Sequence, residues 1–358
     1  MSESTSATTD VDIWTPGSVP EAAEMLAAAY RERTRVRIRG AGTRQQLGHV
    51  VDHDVVLSTE CLDRIVAWEP DDLTAVVECG MGVREFEDTL GRSRQTAVLP
   101  ERVGPATVGG VVATGRSGWR RLRYGPIRDR MLEVTLITGD GRVVTAGGRL
   151  VKNVTGYDLP RLAVGSLGSM GLIAQVCMKL WPKPVAAVTV RVESADAAIQ
   201  ATFRPHAVLQ TAEGVDVYLA GTEREIQEQG AALGGPLVEG HAWPDTPTGA
   251  IELSLRVPPA VVNAAVALLP HSWRFVAQHG VGEVAIAADE IELGKAEELR
   301  GFAESRGGAL VVTSATDDVR VEFDPWGTPP ESLALQRRVI AGFDPARLLN
   351  PGLLPGRL

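Results

Sequence analysis

The sequence has little cysteine, no surplus of basic residues and no uninterrupted apolar stretch long enough to cross a bilayer. The three cysteines, Cys61, Cys79 and Cys177, are far apart and form no CxxC pair, which argues against a disulfide framework, a zinc knuckle or a four-cysteine cluster. Their spacing predicts three buried free thiols in a reducing compartment. The net charge of −9 argues against a nucleic-acid binder.

Membrane and leader signals are missing too. The longest weakly polar run, residues 162–181, is interrupted by three glycines, Gln175 and Lys179, so it predicts a loop and a buried strand. Residues 1–10 are polar, which predicts a disordered N-terminus without a leader peptide. Together with the cysteines, this predicts a cytoplasmic protein.

The 358 residues, 44% of them hydrophobic, leave room for two domains and a large core. Ser18 and Glu21 have the spacing of a capping box and predict a helix to about Arg31, with alternating strands after it. The stiff segment Trp181-Pro182-Lys183-Pro184 predicts a domain boundary. We therefore predict an N-terminal tail (1–12), a first domain (13–184), a smaller α+β domain (185–340) and a C-terminal segment (341–358).

Residues 36–44 run from an alternating strand into a turn with almost no side chains, RGAG at 39–42. Successive backbone N–H groups can converge there on an anion, and a pyrophosphate fits such a nest. Gln45 stands where a GxGxxG fingerprint needs its third glycine, and no GxxxxGK[ST] P-loop occurs. We therefore expect loop backbone, rather than a glycine-nucleated helix, to hold the phosphates.

A second cluster of small residues spans 104–118, GPATVGGVVATGRSG. Small residues allow the backbone to approach a flat ring closely, and Thr107, Thr114 and Ser117 add hydroxyl groups. A glycine-rich turn in the core has the same composition, so the residues alone leave both interpretations open.

A third cluster lies within 152–173, KNVTGYDLPRLAVGSLGSMGLI. Gly171 precedes an apolar strand, and an adenine edge at the start of that strand would find the N–H and C=O of Ile173 as partners. A turn that closes a βαβ-like unit is the alternative. Three such clusters after apolar strands indicate a nucleotide that lies along a long cleft.

A run of arginines accompanies the second cluster. It fits a solvated face, a docking site for a partner protein or an anionic ligand, or a nucleic-acid patch, and the acidic chain disfavours the last. Its members are Arg116, Arg120, Arg121, Arg123, Arg128 and Arg130.

In this order the motifs resemble the FAD-binding domain of the vanillyl-alcohol oxidase / p-cresol methylhydroxylase (PCMH) superfamily, and more closely the FAD-binding subunits of bacterial glycolate oxidases. The resemblance implies an α+β fold in which a PCMH-type domain of two α+β subdomains clasps FAD and a small α+β cap domain follows. The matching segments are RIRGAGT (37–43), GPATVGGVVATGRSG (104–118), YGPIRDRMLEVTLITGDG (124–141), KNVTGYDLPRLAVGSLGSMGLI (152–173) and FDPARLLNPG (343–352).

Carried over by position, the resemblance implies that the first turn cradles the FAD pyrophosphate and that the second cluster lies along the ribityl chain and flavin. Gly171 and Ile173 would meet the adenosine end, and Asn350 would approach the isoalloxazine. No catalytic residue and no metal ligand is assigned. The candidate cofactor-binding residues are Arg39, Gly40, Ala41, Gly42, Thr43, Arg44, Pro105, Thr107, Val108, Gly109, Gly110, Ala113, Thr114, Gly115, Ser117, Gly118, Tyr124, Gly125, Asp129, Gly171, Ile173 and Asn350.

The chain departs from the superfamily pattern in two places. Thr43 stands where covalent members have a histidine, which predicts non-covalent FAD. The cap-domain motif of active D-2-hydroxy-acid oxidases, GHxGDGNxH, is reduced to QHGVGEV at 278–284, where one histidine remains. Nothing nearby in sequence orients His279, so it is predicted to be a structural residue rather than a base. The histidines show no metal-ligand spacing; they are His49, His53, His206, His241, His271 and His279.

Three functions follow as hypotheses. In the first, the chain is a flavoprotein subunit of a glycolate oxidase-like complex, where a sister FAD-linked oxidase subunit oxidises glycolate and an iron–sulfur subunit takes the electrons. This chain then relays electrons or supports assembly, and associates with a membrane only through its partners. In the second, it is a standalone FAD-dependent oxidoreductase acting on a 2-hydroxy acid or another CH–OH donor. In the third, it is a scaffold that has lost FAD, which the intact glycine clusters oppose.

Overall fold

The computed structural model describes residues 11–149, 156–290 and 292–358. The chain begins with β1 (Asp12–Trp14), α1 (Val19–Glu32), β2 (Val36–Arg39) and β3 (Val55–Ser58). The three strands form a parallel sheet in the order β1-β3-β2. Ala22, Leu26 and Ala29 lie on one face of α1 at three- and four-residue spacing, and they are buried against this sheet.

A five-stranded antiparallel sheet forms the rest of the N-terminal region. Residues 65–182 contain β4 (Ile65–Glu69), β5 (Thr74–Glu78), α2 (Val83–Gly91), β6 (Gln95–Thr96), α3 (Val108–Thr114), α4 (Arg121–Tyr124), β7 (Met131–Ile137), β8 (Val143–Gly147), α5 (Leu159–Ala163), β9 (Leu172–Lys179) and β10 (Trp181–Pro182). The sheet order is β4-β5-β9-β7-β8, and β6 pairs with β10 separately. Phe86, Val108 and Val112 bury the inner faces of α2 and α3 in its core.

The C-terminal region is built on an eight-stranded antiparallel sheet. Its elements are β11 (Ala186–Val192), α6 (Ala195–Ala201), β12 (Ala207–Thr211), β13 (Gly214–Gly221), α7 (Glu223–Leu233), β14 (Leu237–Glu239), β15 (Ile251–Arg256), α8 (Val262–Ala267), β16 (Arg274–Gln278), β17 (Glu283–Ala288), α9 (Leu293–Glu304) and β18 (Ala309–Ser314). The strand order is β14-β11-β13-β12-β16-β17-β15-β18. Leu255, Val284, Leu299 and Leu310 form part of its buried core.

After α10 (Asp317–Glu322) and α11 (Leu333–Phe343) the chain returns to the first sheet. The Val36 N–H donates to the Leu348 carbonyl at 2.8 Å, and the Asn350 N–H donates to the Val36 carbonyl at 3.0 Å. The C-terminal segment therefore lies beside β2, at the strand that leads into the first glycine turn.

The α+β fold class is confirmed, and the strands predicted before the first glycine turn and after Gly171 are present as β2 and β9. The helix after Ser18 is also confirmed, and the Ser18 hydroxyl accepts from the Glu21 N–H at 3.3 Å. The Glu21 carboxylate, however, accepts from the Gly17 N–H rather than closing the capping box. None of the helices in the described ranges has the length and apolarity needed to cross a bilayer.

Residues 108–114 of the second glycine cluster form a helix, so the alternative of a glycine-rich turn is wrong for them. The prediction that all three cysteines are buried was also wrong. Cys61 is exposed, whereas Cys79 and Cys177 are buried as predicted. Residues 152–155 of the third cluster lie outside the described residues.

Candidate functional site

The three glycine clusters open onto one cleft, which we call the central cleft. It encloses about 910 Å³ of space open to solvent and lies between the turn after β2, the helix α3, the start of β9 and the C-terminal segment. The residues that line it are Arg37, Ile38, Gly40, Ala41, Gly42, Thr43, Arg44, Gln45, Leu47, Thr59, Cys79, Val103, Ala106, Thr107, Gly109, Gly110, Val111, Ala113, Thr114, Arg116, Leu167, Gly168, Leu172, Ile173, Asn350 and Leu353.

The first turn presents its backbone donors without internal partners. None of the amide N–H groups of residues 40–44 has an acceptor among the residues that the structure describes. Gly42 has φ of +76°, a left-handed conformation that glycine adopts without strain. Polar backbone groups that lack internal partners need water or a ligand, so this turn has the donor set of an anion site.

The second cluster uses its amides internally. The Thr107 hydroxyl caps α3 by accepting from the Gly110 N–H at 3.1 Å. The Val108 and Gly109 N–H groups donate to the carbonyls of Met81 and Cys79 at 2.9 and 2.8 Å. The N-terminus of this seven-residue helix therefore offers the cleft a surface of small residues rather than a set of free donors.

Asn350 connects the first turn to the third cluster. Its side-chain oxygen accepts from the Ile38 N–H at 3.1 Å, and its side-chain nitrogen donates to the Leu167 carbonyl at 2.6 Å. Asn350 is only 3% exposed, so both bonds are shielded from water. The asparagine therefore lines the cleft, but both polar atoms of its side chain are hydrogen-bonded within the cleft wall.

The structure brings a little over half of the candidate cofactor-binding residues to the central cleft. Those lining it are Gly40, Ala41, Gly42, Thr43, Arg44, Thr107, Gly109, Gly110, Ala113, Thr114, Ile173 and Asn350. Those outside the lining are Arg39, Pro105, Val108, Gly115, Ser117, Gly118, Tyr124, Gly125, Asp129 and Gly171.

Several of the outer residues have structural partners instead. The Ser117 hydroxyl accepts from the Ile127 N–H at 3.0 Å, and Asp129 lies 3.5 Å from Arg161. The Tyr124 ring packs edge-on against Trp181 and His206.

Thr59, Cys79 and Leu353 line the cleft without belonging to any sequence motif, because strand pairing and the C-terminal return place them there. Ile38 and Gln45 also line the cleft, and the sequence could have indicated this because both residues flank the first turn.

The interpretation of the arginine run as a solvated face was wrong for several of its members. Arg120 pairs with Glu101, Arg121 pairs with Glu283 at 2.9 Å, and Arg130 donates to the Val98 carbonyl at 2.9 Å. Burial lowers the pKa of Arg130 to about 10. Arg128 is exposed, whereas Arg116 lines the cleft.

His279 is structural, as predicted. It is 2% exposed, and its Nε2 lies 2.8 Å from the Gln210 side-chain oxygen. Burial lowers its pKa.

Within the described ranges the central cleft is lined by no histidine, aspartate or glutamate, and no group of three or more metal-ligating side chains is found. Burial raises the pKa of Cys79, so this thiol at the cleft stays protonated.

Residues 13–147 match the family model described as FAD binding domain. The match agrees with the FAD cofactor that the sequence predicted.

Known proteins are similar to about half of this chain. The chain is 36% identical over 172 residues to "Glycolate oxidase subunit GlcE" of Escherichia coli (strain K12), covering 48% of this chain and 49% of that protein. It is 31% identical over 169 residues to "D-lactate dehydrogenase" of Archaeoglobus fulgidus, covering 47% and 38%. The chain thus spans half or less of the length of these curated relatives.

The fold as a whole is also known. A solved structure of alkyldihydroxyacetonephosphate synthase superposes with a TM-score of 0.67 over 95% of this chain and 75% of that one, at 13% identity. That likeness concerns the fold alone, and it extends through the eight-stranded sheet.

The residues present fit FAD. The free amides of residues 40–44 suit a pyrophosphate, and the small residues Gly109, Gly110 and Ala113 leave one wall flat enough for a ring system. The wall is also rigid, because Thr107 and Asn350 lock it by hydrogen bonds.

Proposed function

We propose that this chain is the FAD-binding subunit of a glycolate oxidase- or dehydrogenase-like complex, which oxidises a 2-hydroxy acid to the 2-oxo acid. The observation that carries the proposal is the composition of the central cleft, which combines free anion-binding amides with an absence of histidine and carboxylate among its described lining residues. The similarity to a protein named as a glycolate oxidase subunit supports the same assignment.

When bound, FAD supplies a two-electron acceptor at its flavin ring. In our proposal the first turn holds the pyrophosphate by backbone hydrogen bonds, and α3 presents small side chains to the flavin. Thr43 offers no nitrogen for a flavin bond, so we propose that FAD is held non-covalently.

Oxidation of a 2-hydroxy acid also requires a base for the hydroxyl proton. The described lining of the central cleft offers arginine, threonine, glutamine, asparagine and a protonated thiol, none of which is suited to that role. We therefore assign substrate oxidation to a sister FAD-linked oxidase subunit and electron acceptance to an iron–sulfur subunit. In this arrangement the present chain relays electrons or supports assembly.

A second candidate is a standalone FAD-dependent oxidoreductase acting on a 2-hydroxy acid or another CH–OH donor. It is favoured by one observation: Arg116 lies at the cleft and has no carboxylate partner among the described residues, a point that is developed below.

The test starts from the purified chain and its visible absorption spectrum. A yellow protein that releases its chromophore on acid treatment supports non-covalent FAD, whereas a protein that stays colourless after incubation with FAD contradicts both candidates. The yellow protein is then mixed with glycolate or D-lactate without air. A band that bleaches only when sister and iron–sulfur chains co-purify supports the subunit, and bleaching of the isolated chain supports the standalone enzyme.

A further inference from the structure

A second cavity adjoins the central cleft and shares Thr43, Arg44, Val103 and Arg116 with it. It encloses about 980 Å³ of space open to solvent, and the residues 245–252 and Ser314 of the C-terminal region form its far wall. Its walls are polar and charged, which suits a small charged ligand more than an apolar one.

Three arginines line this cavity, and two of them are paired with an acid. Arg44 lies 2.8 Å from Glu252, and Arg102 pairs with Asp245. Besides Glu252, two acids raise the pKa of Arg116 electrostatically, Glu101 and Glu283. Each of them forms an ion pair with another arginine, Glu101 with Arg120 and Glu283 with Arg121.

Arg116 is the third arginine of this cavity, and it has no such partner among the residues that the structure describes. Its one hydrogen bond is to the Thr246 hydroxyl, at 3.2 Å, and no carboxylate lies within ion-pair distance of it. Burial, and then the neighbouring Arg44, lower the pKa of Arg116 to about 10. The guanidinium therefore remains charged at neutral pH while it is partly removed from water, a situation that an anionic ligand would relieve.

We propose that Arg116 binds the carboxylate of the 2-hydroxy acid at the junction of the two cavities. The inference rests on the second candidate function, the standalone oxidoreductase, and deepens it, since it gives this chain an acid-binding site of its own beside the cofactor. Arg116 follows α3 by two residues, so its head group reaches the cleft from the wall that the flavin is expected to contact. A planar guanidinium can hold a carboxylate by two parallel hydrogen bonds, and the Thr246 hydroxyl, which accepts from Arg116, keeps its own hydrogen to donate to the ligand.

The test uses the FAD-loaded chain and oxalate, a dicarboxylate that cannot be oxidised as a 2-hydroxy acid. Binding is followed by the perturbation of the flavin absorption band and by calorimetry. The variants are Arg116→Gln and Arg116→Lys, with Arg337→Gln on the exposed face of α11 as the matched control. A charge-assisted hydrogen bond is worth roughly 1.5–3 kcal/mol, so we expect R116Q to raise the Kd for oxalate about 10- to 100-fold. R116K should retain part of the affinity, because it keeps the charge and loses the two-pronged geometry.

Flavin content and FAD affinity are measured on the same samples. Unchanged FAD affinity in R116Q together with weakened oxalate binding supports the proposal. Equal oxalate affinity in wild type and R116Q overturns it, as does a parallel loss of FAD, which would assign Arg116 to the cofactor phosphates. A wild-type chain that binds oxalate but whose flavin is never bleached by glycolate or D-lactate contradicts the standalone function and leaves the acid site standing.

Discussion

Two glycine-rich segments face the same cleft and use glycine for opposite reasons. In the first turn the glycines allow a backbone path whose amides 40–44 have no acceptor within the described chain. In α3 the amides of Val108, Gly109 and Gly110 all have acceptors within the protein. Glycine is needed at position 109 because Cys79 packs directly against it. A Cβ at Gly109 would lie 2.5 Å from the Cys79 Cβ.

The difference teaches that glycine density alone does not identify a phosphate site. We call residues 40–44 the open segment, because their amides are free to bind a ligand. We call α3 the closed segment, because its amides are bonded within the protein and it supports the cleft wall. A change in the closed segment should therefore act on folding first, and a change in the open segment should act on cofactor binding first.

The largest effect is expected from Gly109→Ala. The added methyl group must displace Cys79, including its carbonyl oxygen at 2.7 Å, which cannot move without disturbing β5. Overpacking of a core costs about 1–3 kcal/mol, so the free energy of unfolding in urea should fall by that amount with or without FAD.

Gly301→Ala in α9 is the matched control for this change. Nothing lies within 4 Å of a Cβ at that position, and alanine favours a helix over glycine by about 0.5–1 kcal/mol. The control should therefore be slightly more stable than the wild type. Equal unfolding midpoints for G109A and wild type would show that α3 is not closely packed on Cys79.

Much of this fold could be predicted because its signals are local. Alternation in residues 36–39 and the apolar run at 172–179 indicate strands, and the lack of side chains at 40–42 indicates the first turn. The α3 helix could not be predicted in that way. Gly109 and Gly110 disfavour a helix, and what overrides them is the Thr107 cap together with packing on Cys79, 30 residues earlier in the sequence.

The arginines show the same limit. The partners of Arg44 and Arg121 are Glu252 and Glu283, which lie far along the chain on strands of the eight-stranded sheet. Nothing in the run itself distinguishes Arg116, which has no carboxylate partner within the described ranges, from Arg121, which has one. Only the folded arrangement separates a structural ion pair from a free cation at the cleft.

A smaller effect is expected from Gly42→Ala, which tests the open segment. A left-handed conformation costs a residue with a Cβ roughly 1–2 kcal/mol, and the space around Gly42 is otherwise sufficient, with the nearest atom 3.6 Å away. The strained turn should relax and misalign its amides, so the Kd for FAD should rise about 5- to 30-fold. Flavin fluorescence titration measures this, and G301A should bind FAD as the wild type does. If G42A loses stability as G109A does while FAD binding is unchanged, the contrast between the two segments fails.

The smallest effect concerns the base of the open segment, where Arg35 and Asp54 precede β2 and β3. The Asp54 carboxylate accepts from the Arg35 side chain and from its backbone N–H at 2.7 Å, and the side-chain bond, followed by the backbone bond, lowers the pKa of Asp54 to about 2. A depressed folded-state pKa stabilises the protein above the unfolded value near 3.8 and loses that contribution as the pH falls toward 2. The side chain is 42% exposed, so solvent screening leaves roughly 0.5 kcal/mol. Urea unfolding of wild type and D54N should therefore differ by that amount at pH 6 and converge below pH 3, whereas a constant difference across this range would show that the ionised carboxylate does not join the two strands.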